Sequence, residues 1–188
     1  MIYHHFIPSN QTFELPDFTI HIDPAWNFIG KVSLEVNGLA DAEQYYFCLT
    51  QDSTLGNAFI VHFEHFHEEN DHFFEYPRLR MVNLGGVEFL NQTWAIPNFE
   101  LFHLYGVKNL FTKLGIQPEP DWLVNRYVTV MGESKKNELI LFYLEPGSHT
   151  HMPLVDLLPE GKSFHQWPDI EKRLMQKALN VFSIISEK

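Results

Sequence analysis

Apolar and polar positions follow a period of two over most of the chain, and the clearest case is the stretch 124–153. In Glu138–Leu144 the residues Leu139, Leu141 and Tyr143 share one side of an extended chain, and Ile140, Phe142 and Leu144 share the other. Both sides are apolar, which places this strand in the middle of a sheet covered on both faces. The run Arg126–Met131, rich in Val, Tyr and Thr, is its partner across the polar, turn-prone segment Gly132–Asn137.

Earlier in the chain, Thr12–Leu15 and Phe18–Asp23 read as short strands around Pro16-Asp17. Lys31–Val36 alternates, with Val32, Leu34 and Val36 against Lys31, Ser33 and Glu35, so one of its faces is wet. Asn37-Gly38 closes it and marks a two-residue hairpin if a strand follows at once; otherwise Ala40–Gln44 is a polar connection before the strand Tyr45–Thr50. Asn57–His67 is a strong strand. Arg80–Leu84 and Val87–Leu90 flank a tight turn or bulge at Gly85-Gly86.

Two stretches switch to helical spacing. Asn98–Leu114 carries Phe99, Phe102, Tyr105, Leu110, Phe111 and Leu114, with Asn98 as N-cap and Gly115 and Pro118 as the stop. Asp169–Ser186 carries a stripe of Ile170, Leu174, Ala178, Val181, Phe182 and Ile185 behind Pro168. The expected fold is therefore α+β. A mainly antiparallel, twisted sheet of roughly seven to nine strands has helices at about 98–114 and 169–186 packed on it, and 1–188 form a single domain.

Composition adds little to this picture and charge adds more. The 17 Phe supply a large core without any need for a cofactor. The four tryptophans, Trp26, Trp94, Trp122 and Trp167, all lie within three residues of a proline and are expected to pin loops to that core. Residues 1–100 carry 14 acidic and 3 basic side chains, and residues 101–188 carry 10 of each, so the whole net charge of −11 lies in the first half. Phosphate backbones require clustered Lys and Arg, so nucleic acid is excluded as the expected ligand. A basic protein partner fits the asymmetry, because complementary fields speed encounter and select partners.

Cys48 is the single cysteine, within the apolar run Tyr45–Leu49, and reads as a buried hydrophobe. With no internal disulfide possible, no leader-like pattern and no apolar run long enough to span a bilayer, the expectation is a cytoplasmic protein without membrane contact.

The eleven histidines are the sharpest chemical signal. His65 and His67 share the core-directed side of their strand, near its end, while His62, Glu64 and Phe66 share the other. His149 and His151 repeat the same spacing beyond Glu138–Leu144. Two His-x-His pairs at strand ends have the donors for a divalent metal, either as four nitrogens or as three with a carboxylate and an open position for water. Glu145–His151 resembles, over about seven residues, the Gly/Pro turn and His-x-His of cupin metal motifs. No glutamate follows His151 at the expected short distance and the chain ends on a predicted helix, so the segment is not assigned to that family.

The run Glu64, Glu68, Glu69, Asp71 and Glu75 reads as a solvated docking surface for the partner, since an acid/base dyad needs burial to separate its pKa values. No pattern identifies a catalytic residue. Ser148 lacks the Gly-x-Ser-x-Gly elbow, Cys48 has no flanking cation, and phosphate-cradling glycine loops are absent.

The functional expectation is a small binding protein, of the inhibitor or toxin-immunity type, whose acidic N-terminal half engages a basic protein and which needs no cofactor. The alternative is a metal-dependent enzyme, a hydrolase or cupin-like oxygenase, using His65, His67, His149 and His151.

Overall fold

The computed structural model describes residues 11–51, 54–97, 107–117 and 119–186. In chain order the elements are β1 (Thr12–Glu14), β2 (Phe18–Ile22), β3 (Asn27–Val36), β4 (Ala40–Gln51), β5 (Thr54–Phe66), β6 (Met81–Leu84), β7 (Val87–Ile96), α1 (Val107–Leu114), β8 (Trp122–Met131), β9 (Asn137–Pro146), α2 (Trp167–Leu179) and β10 (Phe182–Ser186). Short 3-10 turns fill the connection between β9 and α2.

Seven strands form one antiparallel sheet in the order β3-β4-β5-β9-β8-β7-β6, and β1-β2-β10 form a second. The α+β class and the antiparallel pairing follow the sequence pattern; the division of the strands into two sheets does not. β9 is the central strand of the larger sheet, and every residue from Glu138 to Pro146 is buried, as its two apolar faces require.

The odd-numbered side chains of β4, β5 and β9 form the inner face. There Tyr45, Phe47, Phe59, Val61, Leu141 and Tyr143 pack against Phe13, Ile20, Ile22, Phe182 and Ile184 of the small sheet and against Leu174 and Ala178 of α2. Phe59 stacks on Phe182 with centroids 5.3 Å apart, and Trp26 stands edge-on to both Phe59 and Tyr143. Aromatic pairs of this kind add about 0.5–1.5 kcal/mol beyond the area they bury. On the outer face Tyr46, Ile60, Phe142, Val124 and Trp122 form a second cluster that Phe111 of α1 covers. Trp26 and Trp122 are thus core residues, Trp26 from a loop as expected and Trp122 from the start of β8.

Ala40–Gln44 is strand rather than connection. Asn37 and Gly38 both take positive φ (54° and 69°), and Leu39 N–H donates to Val36 C=O at 2.9 Å, so the chain reverses at once and β4 starts at Ala40. Its polar composition suits a strand with one face at the sheet's rim.

The C-terminal helix is also shorter than expected. α2 ends at Leu179, and residues 182–186 pair antiparallel with β2. Phe182 and Ile184 point into the core while Ser183 and Ile185 are turned out, a period of two that the helical stripe concealed. Of the expected helix 98–114 the described part is Val107–Leu114; residues 98–106 lie outside the described residues. Among the described residues no helix is long and apolar enough to cross a membrane.

Candidate functional site

One end of β4, β5 and β9 concentrates the polar chemistry of the molecule, and strand alternation sorts it onto two faces. The registers Asp41↔His65↔Asn137 and Glu43↔Phe63↔Leu139 belong to the inner face, where Phe13 of the small sheet reaches Phe63. The register Ala42↔Glu64↔Glu138, with Gln44↔His62↔Ile140 beside it, belongs to the outer face.

On the inner face a cavity of about 410 Å³ opens, lined by Glu35, Asp41, Glu43, Phe63, His65 and Met131 and reached also by Glu64 and Glu138. Glu35 and Asp41 are opposite each other on β3 and β4, and both are exposed. Glu43 pairs with Lys31 and accepts a hydrogen bond from the Tyr45 hydroxyl at 2.9 Å. Phe63 and Met131 supply an apolar floor. A negative rim over an apolar floor is the complement of a long cationic side chain, whose methylenes cover the floor while its head meets the carboxylates.

The histidines His65 and His67 lie beside this cavity, but each is engaged locally. His65 Nδ1 is 2.8 Å from Asn137 Oδ1 and its Nε2 is 3.5 Å from Glu68; His67 Nε2 is 3.4 Å from Asp41. His149 and His151 are at the other end of the sheet. β9 runs ten residues from Asn137, opposite His65, to Pro146, a span of about 33 Å at ~3.3 Å per residue. His149 and His151 follow in an exposed 3-10 turn, with His149 Nδ1 3.8 Å from Glu145 and His151 at φ 57°. The antiparallel register therefore keeps the two His-x-His pairs apart, and the four side chains do not converge.

Of the acidic run, Glu68, Glu69, Asp71 and Glu75 are exposed, and Glu64 is turned away onto the outer face. Lys136 shapes this loop by donating to the carbonyls of His67, Glu68 and Asn70 at 2.7–3.2 Å. Phe74 N–H donates to Lys135 C=O at 2.8 Å, and the Phe74 ring stacks on Phe66 at 4.4 Å, so the segment after β5 folds back across the outer face.

That fold-back brings Tyr76 over Glu138, to which its hydroxyl donates at 2.5 Å. Glu138 is 3% exposed, and burial above all, assisted by the Glu64 carboxylate and opposed by the Tyr76 bond and by Arg126, pushes its pKa up to about 7. Burial chiefly, and Glu138 next, push the Tyr76 hydroxyl up as well. Beside them the Tyr46 hydroxyl donates to Gln44 Oε1, which leaves the Gln44 amide nitrogen facing His62 Nδ1 at 2.9 Å. The imidazole proton then sits on Nε2, 3.1 Å from Glu64 Oε2. His62, Glu64 and Glu138 offer ligand atoms that all lie within 4.8 Å of one another. The alternation that puts His62 and Glu64 on one face was visible in the sequence; their meeting with Glu138 and Tyr76 depends on strand register and on the fold-back.

Two other polar groups are structural or inert. Glu145 is fully buried on β9 and receives Arg173 at 2.7 Å and Lys177 at 2.5 Å, both from α2. Cys48 is buried, and desolvation pushes its thiol up to about 11, which leaves it unreactive at neutral pH.

Comparison of the chain with models of known protein families, with curated proteins and with solved structures finds no match in any of the three.

Proposed function

We propose that this chain is a binding protein whose acidic inner-face cavity receives a Lys or Arg side chain of a basic protein partner. The observation that carries the reading is the cavity itself: Glu35, Asp41 and Glu43 at the rim, Phe63 and Met131 beneath. The exposed acids Glu68, Glu69, Asp71 and Glu75 lie on the loop that leaves β5 next to the cavity, and extend the negative field around it. Charges at such a rim act mainly on encounter rate and on the choice of partner, while the buried apolar contact slows release. An inhibitor or immunity-type role is one form of this reading, in which the captured basic side chain belongs to a partner's working surface.

The test is affinity capture with immobilised wild-type chain and with an E35Q/D41N/E43Q variant, each at low and at raised salt. Basic proteins retained by the wild type at low salt, released by salt and not retained by the variant support the reading. Equal capture by both proteins, or capture indifferent to salt, contradicts it.

A further inference from the structure

We propose that His62, Glu64 and Glu138, on the outer face of β4, β5 and β9, form a binding site for one divalent cation of the zinc or manganese class. The site adjoins the acidic cavity, whose lining also includes Glu64 and Glu138, but uses a different set of side chains from the rim acids Glu35, Asp41 and Glu43.

The donor set comes first. One imidazole and two carboxylates, with ligand atoms inside 4.8 Å of one another, suit a borderline first-row cation that accepts nitrogen and oxygen together. Among the described residues no Lys or Arg forms an ion pair with Glu64 or Glu138; the ion pair that Glu64 makes is with His62. Arg126 acts on Glu138 only through its field, since its side chain bonds Gln92 and lies over the Trp94 ring at 5.6 Å. Two glutamates directly opposite each other on neighbouring strands, one of them almost fully buried, are a poor structural choice without a cation between them.

Supporting groups are also in place. Metal-bound imidazoles are oriented by a partner on their other nitrogen, and His62 has Gln44 there, itself fixed by Tyr46. Tyr76 holds Glu138 in the same way. Cation binding at Nε2 requires the single imidazole proton of His62 to pass to Nδ1 by exchange with solvent, and the Gln44 amide to turn over so that its Oε1 accepts that proton and its nitrogen donates to the Tyr46 oxygen. The half-buried Glu64 gives the route in, while Tyr76 and the residues folded back across β5 close the rest.

The experiment is equilibrium dialysis of untagged full-length protein against Zn²⁺, with bound metal measured by elemental analysis and Co²⁺ used as a spectroscopic probe. The expected result is one Zn²⁺ equivalent that weakens at least tenfold in E138Q and in H62Q, with loss of the Co²⁺ ligand-field bands. The H149A/H151A variant retains both. If H62Q does not fold, the near-isosteric E138Q decides alone. A wild-type protein that binds no Zn²⁺, or an E138Q protein that binds it with unchanged stoichiometry and affinity, overturns the proposal. The two readings stay distinguishable, because E35Q/D41N/E43Q leaves these ligands in place, and H62Q and E138Q leave the rim acids in place.

Discussion

Glu64 and Glu138 face each other across β5 and β9, and they are held by different partners, His62 for the first and Tyr76 for the second. Like charges directly opposite in a sheet oppose folding, and here burial of Glu138 adds to the cost. The pair sets a pH dependence with a definite sign. The folded-state pKa of Glu138, about 7, lies above its ordinary value of 4.5, so the folded protein binds the proton more tightly than the unfolded one. Its contribution to stability is fully present below about 4.5 and is lost as pH rises through about 7, a change on the order of 3 kcal/mol. In metal-free protein, Glu138→Gln keeps the acceptor for Tyr76 and removes the charge. It is expected to raise stability by roughly 1–3 kcal/mol at pH 8 and to change little at pH 4.5. Urea denaturation of both proteins at the two pH values measures this.

Glu145 presents the opposite case, a fully buried carboxylate with two cations from α2 on it. Removing the acid strands no buried charge on Arg173 or Lys177, which are partly exposed, yet it leaves a polar cavity between α2 and β9. Glu145→Ala is expected to cost about 3 kcal/mol and Lys177→Ala about 1 kcal/mol, read from thermal or chemical unfolding.

Gly85 and Gly132 separate two effects of glycine. Both take positive φ, but a Cβ at Gly85 would sit 2.1 Å from the Ile184 carbonyl oxygen, whereas a Cβ at Gly132 meets nothing within 4 Å. Gly132→Ala should cost only the left-handed backbone preference, about 1 kcal/mol. Gly85→Ala should cost more than twice that, since β10 must move off the β6–β7 turn. Unfolding free energies of the two variants give the comparison.

Cys48 should be silent towards thiol reagents in the folded state. Its burial between β3 and β5 and its raised pKa both suppress the thiolate. The expected result is no reaction with a chromogenic disulfide at neutral pH until denaturant is added, followed by release of one equivalent.

Much of this was legible in the chain. β9 announced its central position because Leu139–Leu144 is apolar on both sides, and no amphipathic element has that signature. The C-terminal stripe misled because Val181, Phe182 and Ile185 fit a helical period while Phe182 and Ile184 fit a strand's over the same short run; pairing with β2 decided it. Ala40–Gln44 fits a hairpin strand or a polar connection by its sequence, because one strand face can be polar where a sheet ends in solvent or in a cavity, and pairing with β3 and β5 settles it as strand. The histidines show the same limit at the site. Spacing within β5 correctly divided His65 and His67 from His62 and Glu64, but spacing says nothing about which distant residues a strand will meet. Antiparallel register sends His149 and His151 to the far end and brings Glu138 to Glu64. Tyr76 arrives by the fold-back after β5, a tertiary event with no local signal.

The central claim, a cavity that accepts a basic side chain, is tested most directly by a nuclear magnetic resonance titration of ¹⁵N-labelled full chain with a Lys/Arg-rich peptide. The account predicts shifts centred on Glu35, Asp41, Glu43, Phe63 and His65 that weaken with salt, and an affinity roughly tenfold lower, about 1.4 kcal/mol, in E35Q/D41N/E43Q. Shifts scattered over the molecule, or an unchanged affinity in the variant, would contradict it.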